Sequence, residues 1–342
     1  MHYLADYGLF FAKTITLVLA LLLLIAGILA LAFKNKTSSK GHLEIKKINK
    51  IYEEMEEALQ EQILSKKDFK AFLKEKHKKE KKQDKNKDKK KSEAETQKRL
   101  FVLKFDGDIR AACVEHFRQE ITAILNVATP RDEVVVCLES GGGVVHGYGL
   151  CASQLQRIKA RHIPLTIIID KIAASGGYLM ACVGDKILAA PFAIIGSIGV
   201  IAQLPNFHRW LQKHEIDFEQ ITAGEYKRTL TFLGENTAKA RDKMKQDIEE
   251  IHHYFKCFIT ENRPQVNIVE VATGEHWLAS RALELKLVDG FNTSDDYLFS
   301  QYQSADIFEV SFVIKKSLSD RFSHFMEKKS GLYSSYHHQY YF

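Results

Sequence analysis

The chain has 342 residues, 45% of them apolar and 27% charged, with a formal net charge of +6. That length suits one large domain or two modest ones, with the apolar share of an ordinary globular protein. The charge is local: 14 lysines against 5 acidic residues lie between Lys66 and Lys91, a balance of +9 that leaves the rest at −3, so no nucleic-acid surface is implied.

Residues 1–13 form a short flank. Thr14 to Phe33 follows, twenty residues without a charge. As a helix they would measure about 30 Å, enough to cross a bilayer core. The run exceeds a signal-peptide core and only Lys13 precedes it. A retained single-pass anchor is therefore expected over a leader cleaved after Ala30-Leu31-Ala32. Lys34, Lys36 and Lys40 come next, and the positive-inside rule would put the C-terminal side in the cytoplasm.

Residues 34–99 read as a tether. Ile45, Ile48, Ile51, Met55 and Leu59 recur at helical spacing and predict one amphipathic helix. Beyond Leu73 the chain is almost wholly polar and cannot bury a core, which predicts a solvated spacer or a single charged helix. Its basic charge would also suit anionic lipid.

From Leu100 strands and helices alternate. Leu100–Phe105, Val134–Leu138, Leu165–Ile169 and Lys186–Ala189 read as strands, and Val114–Leu125 and Val145–Ile158 as the helices between the first three. This order predicts an α/β domain with a mainly parallel sheet under covering helices, spanning residues 100–300. Leu188–Leu204 is apolar, but Pro191, Gly196 and Gly199 make it core strand plus loop. Asn236–Asn262 predicts a long helix closed by Arg263-Pro264. Residues 301–342 form a C-terminal extension with a Tyr-rich tail after Ser330.

Four constellations carry chemistry. Ser140-Gly141-Gly142-Gly143 follows a strand, and its glycines let backbone approach a substrate. It has neither the GxGxxG pattern nor a Walker lysine, which argues against a nucleotide. Ala173-Ala174-Ser175-Gly176-Gly177 places one serine at an apparent helix start, either as a nucleophile or as a small-residue packing site. Gly196-Ser197-Ile198-Gly199 brackets a second serine, and a tight turn is its plain reading. Lys227 sits in a polar loop, where a lysine is ordinarily a solvated charge. It becomes a base only if its amine is desolvated. The five cysteines are scattered with no CxxC pair, so neither a disulfide framework nor a zinc site is implied. No histidine lies between Ser175 and His208, and His252-His253 lacks the zinc HExxH spacing.

Taken in this order, the four constellations resemble the signal peptide peptidase A family, and within it the SohB-type branch. Gly234-Glu235-Asn236-Thr237, Val271 to Trp277 and Leu287-Val288-Asp289 extend the resemblance across residues 100–298. Gly141 stands where the family has proline, and Lys286 where it has glycine. The resemblance implies a crotonase/Clp-protease-like fold and a bacterial inner-membrane serine endopeptidase acting on signal-peptide-like or unfolded polypeptides. It assigns Ser175 as nucleophile, Lys227 as general base and Ser197 as the residue that orients the lysine. The N–H groups of Gly142 and Gly176 would form the oxyanion hole. It implies no metal or cofactor, and a homo-oligomer in which Lys227 can serve a neighbour's Ser175. By analogy it suggests a periplasmic catalytic domain, against the charge rule. A catalytically silent membrane adaptor and a crotonase-type acyl-CoA enzyme share the fold and stay open at this point.

Overall fold

A computed structural model describes residues 2–34, 41–89 and 98–314. The Tyr-rich tail and the last lysines of the basic run lie outside the described residues. The chain divides into two compact units, Glu44–Ser311 and a second containing Met1–Leu43 and Phe312–Phe342. In the second, α1 (His2–Lys34) is a continuous 33-residue helix whose described side chains, Gly8 to Leu24, are all exposed. Among the described residues no helix is long and apolar enough to cross a membrane.

Strand β1 (His42–Lys47) runs across the boundary at Glu44, and α2 (Ile48–Ile63) and α3 (Lys66–Lys89) follow in the larger unit. The expected helix through Ile45 thus begins only at Ile48, because His42-Leu43-Glu44-Ile45 alternates and pairs as an edge strand beside β10. The Lys-rich stretch is helical as far as it is described. Then come β2 (Lys98–Gly107), α4 (Val114–Leu125), β3 (Glu133–Ser140), α5 (Val145–Lys159), β4 (Leu165–Ile169), β5 (Ile172–Ala174), α6 (Gly176–Ala181), β6 (Lys186–Ala189) and β7 (Ile194–Gly196). After α7 (His208–Lys213) and the long α8 (Ala238–Asn262) follow α9 (Ile268–Val271), β8 (His276–Leu278), α10 (Ala279–Glu284), β9 (Gly290–Phe291), α11 (Ser294–Gln301) and β10 (Ala305–Val313).

The sheet runs β1-β10-β2-β3-β4-β6-β9, and β10 through β9 pair in parallel. A side branch leaves β3: β5 pairs β3 and β7 in parallel, and β8 closes it antiparallel to β7. The α/β class and mostly parallel sheet agree with the alternation in the sequence. One face buries Leu103, Phe105, Val136, Ile167 and Ile187 against α4, α5 and α6. The other buries Leu100, Val102, Val135, Ile168 and Ile307.

The expected boundaries at residues 100 and 300 move outward. Strand β10 lies in register with β2, Ala305 opposite Lys98 and Glu309 opposite Val102. Buried Asn49 on α2 fixes it from the other side. Its amide donates to the Tyr302 and Ala305 carbonyls at 2.8 and 2.9 Å and accepts the Ile307 N–H at 2.8 Å. The start of the supposed tether and the start of the supposed extension therefore belong to the domain.

Two charged clusters pin helices to the sheet. Arg263, just past α8, is buried and grips Asp289 with both terminal nitrogens, at 2.6 and 2.8 Å, while Asp289 also accepts the Ile187 N–H. Glu133 accepts from Lys98 at 2.5 Å, Thr166 at 2.7 Å and Tyr297 at 2.5 Å. Burial alone would raise this carboxyl, but the hydrogen bonds from Lys98, Tyr297 and Thr166 outweigh it and hold it below the usual range. A carboxyl lowered on folding contributes stability above its unfolded value, near 4.3, and loses it as pH falls through the folded value. Glu133→Gln is expected to lower the unfolding free energy at pH 7 by about 1–3 kcal/mol. Denaturant titrations should show that difference shrinking below about pH 4.

Candidate active site

The site is assembled by the side branch of the sheet. Gly107 pairs with Ser140, Ser140 with Ala173, and Ala173 with Ile195, so four strand ends finish on one line. One step on, Ala174 lies opposite Gly196, and the Ser175 N–H donates to the Gly196 carbonyl at 2.8 Å. Ser175 and Ser197 therefore leave neighbouring strand ends side by side.

Both adopt backbone that L-residues avoid, Ser175 with φ 51° and Ser197 with φ 50°. Ser175, at ψ −118°, stands immediately before α6, and its side chain does not cap that helix. A serine at positive φ on a strand-to-helix turn is held under strain, as nucleophile elbows are. The glycines around it are sterically required. A Cβ on Gly142 (φ 88°) would come within 2.6 Å of the Gly176 nitrogen and 2.8 Å of the Ser175 Cβ. A Cβ on Gly177 would sit 2.4 Å from the Ser140 carbonyl oxygen.

The Gly142 N–H, an expected oxyanion donor, has a partner in the turn itself: it donates to the Ser140 hydroxyl at 3.0 Å. The cause is local: a serine two residues back in a turn competes for the amide. What Gly142 supplies is the close approach to Ser175 and Gly176. Ser140, which the sequence reading named only as the head of the glycine run, holds that turn together with Tyr148, which it passed over. The serine preceding three glycines was the available signal.

Lys227 stands apart from this group. It lies in the long segment between β7 and α8, of which α7 is the one helix, and its side chain is exposed. It makes no hydrogen bond with Ser175 or Ser197, and its N–H binds the Gly224 carbonyl at 3.2 Å. Around it the segment exposes large apolar side chains: Phe207, Trp210, Ile221 (95% exposed), Tyr226 and Phe232. His208, partly buried, begins α7 within the same segment. Among the described residues no cluster of His, Cys, Asp and Glu could hold a metal ion. The cysteines are all unpaired. Burial pushes the Cys137 thiol up to about 11 and Cys151 up to about 12, which makes these thiols inert.

A mostly parallel α/β sheet presenting a strained serine at a glycine-lined strand end has the architecture of a hydrolase. Comparison with known sequences narrows this. The profile described as Peptidase family S49 N-terminal matches residues 2–155, and that of Peptidase family S49 matches residues 157–307. The chain belongs to peptidase family S49, as a SohB-type member. It is 47% identical over 332 residues to "Probable protease SohB" of Haemophilus influenzae, covering 96% of this chain and 94% of the relative. It is 45% identical over 308 residues to the protein of the same name from Buchnera aphidicola subsp. Schlechtendalia chinensis, covering 88% and 100%. Among solved structures, the 1510-N membrane-bound stomatin-specific protease in complex with a substrate peptide aligns at TM-score 0.42 and 14% identity, over 68% of this chain and 99% of that one. ClpP1 from Listeria monocytogenes aligns at TM-score 0.39 and 14% identity, over 58% and 94%.

Proposed function

We propose that this peptidase is a membrane-anchored serine endopeptidase with a Ser-Lys dyad, acting on signal-peptide-like or unfolded polypeptides. The observation that carries it is Ser175, held at φ 51° before α6 with Gly142 against its Cβ. Ser175 Oγ attacks the scissile carbonyl and Lys227 takes its proton, then returns it to the leaving amine. Ser197, on the neighbouring strand end, orients the lysine. The oxyanion is bound by the N–H of Gly176 at the start of α6 and by that of Gly143, the next amide along the turn once Gly142 is engaged by Ser140. Such preorganised donors usually give the largest single contribution to the rate.

The active unit is an assembly. Lys227 is exposed on an apolar-rich segment, and a second copy covering that segment would desolvate the amine and deliver it to a neighbour's Ser175. The anchor in this reading is the uncharged run Thr14–Phe33 of the sequence, of which the exposed stretch from Ile15 to Leu24 is apolar apart from Thr16. The chain would then sit in the bacterial inner membrane with its catalytic unit on one face.

The test uses the full chain in detergent or liposomes, with casein or a signal-peptide-like peptide as substrate and a fluorophosphonate as label. Hydrolysis with the label mapped to Ser175 is expected. An active protein labelled elsewhere would overturn the nucleophile, and no hydrolysis and no labelling would favour a silent adaptor on the same fold.

A further inference from the structure

The turn that carries Gly142 rests on a buried chain of hydrogen bonds. Ser140, the last residue of β3, is 2% exposed, and Tyr148 on α5 is fully buried. The Ser140 hydroxyl accepts the Gly142 N–H at 3.0 Å. It lies 2.5 Å from the Tyr148 hydroxyl and 3.2 Å from the Gly107 carbonyl. Tyr148 in turn donates to the Asp108 carbonyl at 2.7 Å.

Counting protons gives the chain a direction. A carbonyl only accepts, and the phenol has one proton, so that proton goes to Asp108. The Tyr148 oxygen then faces Ser140 with a lone pair, and Ser140 donates to it, leaving its own lone pair for Gly142. Every donor from Gly142 to Asp108 points the same way, an arrangement in which each bond polarises the next. Burial pushes the Tyr148 hydroxyl up to about 12, so it stays a donor at any working pH.

The ring of the same residue does a second thing. A Cβ on Gly176 would lie 2.5 Å from Tyr148 Cγ, so the ring abuts the backbone directly after Ser175. Phe105 holds that ring edge-on, with centroids 6.3 Å apart. One side chain thus touches both turns that flank Ser175: its ring supports Gly176, and its hydroxyl, through Ser140, fixes Gly142.

We propose that Tyr148 is a positioning residue that sets the spacing of the two oxyanion-binding turns. This rests on the reading of Ser175 as nucleophile. A merely structural tyrosine would be replaceable by phenylalanine. The Asp108 carbonyl keeps the Ala111 N–H at 3.0 Å, and the Ser140 proton released by Tyr148 can turn to the Gly107 carbonyl 3.2 Å away, so Tyr148→Phe removes alignment while leaving both neighbours a partner.

The experiment compares the full-length wild type with Tyr148→Phe. The expected result is a kcat lower by about 10- to 100-fold with KM within about twofold, since the loss falls on the transition state. Affinity for a peptide boronate, whose tetrahedral adduct occupies the oxyanion site, should fall by a similar factor, with the unfolding temperature nearly unchanged. Ser140→Ala should reproduce the kcat loss, and the double variant should be no worse than either single one, because both break one chain. An unchanged kcat in Tyr148→Phe, or a raised KM alone, would overturn the proposal. Should Tyr148→Phe not fold, Ser140→Ala decides by the same readings. Fluorophosphonate labelling separates the two failures. A wild type not labelled at Ser175 removes the nucleophile and this inference together. A labelled wild type with unaffected variants removes this inference only.

Discussion

Ser175→Ala and Lys227→Ala are each expected to reduce peptide hydrolysis by about 10³-fold or more, to the same residual level. The two act as one unit, so losing either leaves an oxyanion site with no chemistry to support, and the double variant should be no slower. Their separation in one chain gives a sharper expectation. Ser175 is fixed on the sheet's side branch, whereas Lys227 is exposed on the segment between β7 and α8. If a neighbouring protomer delivers the lysine, inactive Ser175→Ala and inactive Lys227→Ala chains should complement when mixed during assembly. Random mixing pairs an intact serine with an intact lysine at about one interface in four, so about a quarter of the wild-type rate should return. No recovery after verified mixing would place the dyad within one chain. Full activity of either single variant would remove that residue from the mechanism.

Much of the fold was legible because its central strands are buried on both faces and read as continuous apolar runs. Leu165–Ile169 and Lys186–Ala189 lie where the sequence put them, and α4 has the expected ends. The three-residue strand β5 was not seen, and β7 only as a core strand without bounds within Leu188–Leu204. Three residues carry no periodicity, and what makes these strands is pairing with β3 and with each other. Strand β10 was missed for another reason. Its partner β2 lies some two hundred residues earlier, and the hook that holds it, Asn49, reads in the sequence as one polar residue among many.

The site divides the same way. Small residues around Ser175 marked a turn, and the structure shows why they must be small. The engagement of Gly142 by Ser140 was not legible, because three consecutive glycines offer three amides and only geometry says which one a neighbouring hydroxyl takes. The position of Lys227 relative to Ser175 was not legible either. A loop lysine acquires its environment from whatever packs against it, and the sequence of one chain does not encode that surface locally.

Gly142→Ala is expected to cost activity about 100-fold or more while the domain still folds. The added Cβ would meet the Gly176 nitrogen at 2.6 Å, the Ala174 carbonyl at 2.8 Å and Ser175 Cβ at 2.8 Å. Two of these are backbone atoms of the turn that holds the nucleophile, so no flexible side chain can swing aside. At φ 88° the alanine also sits in the left-handed region, which adds about 1 kcal/mol of strain. Either the glycine turn retreats, taking the Gly143 amide with it, or Ser175 and Gly176 move. Both spoil the alignment on which the transition state depends. The core lies elsewhere, under α4 and α5, so the loss of stability should stay within about 1–3 kcal/mol. Gly141→Ala is the matched control, since its Cβ would find only Ile172 Cδ1, at 3.8 Å, and its φ is not positive. That variant should keep its activity within about twofold. Steady-state hydrolysis and thermal unfolding of the two variants side by side separate a general cost of losing a glycine from a specific need for close approach at Gly142. Equal activities in the pair would show that the approach of this turn to Ser175 has no part in catalysis.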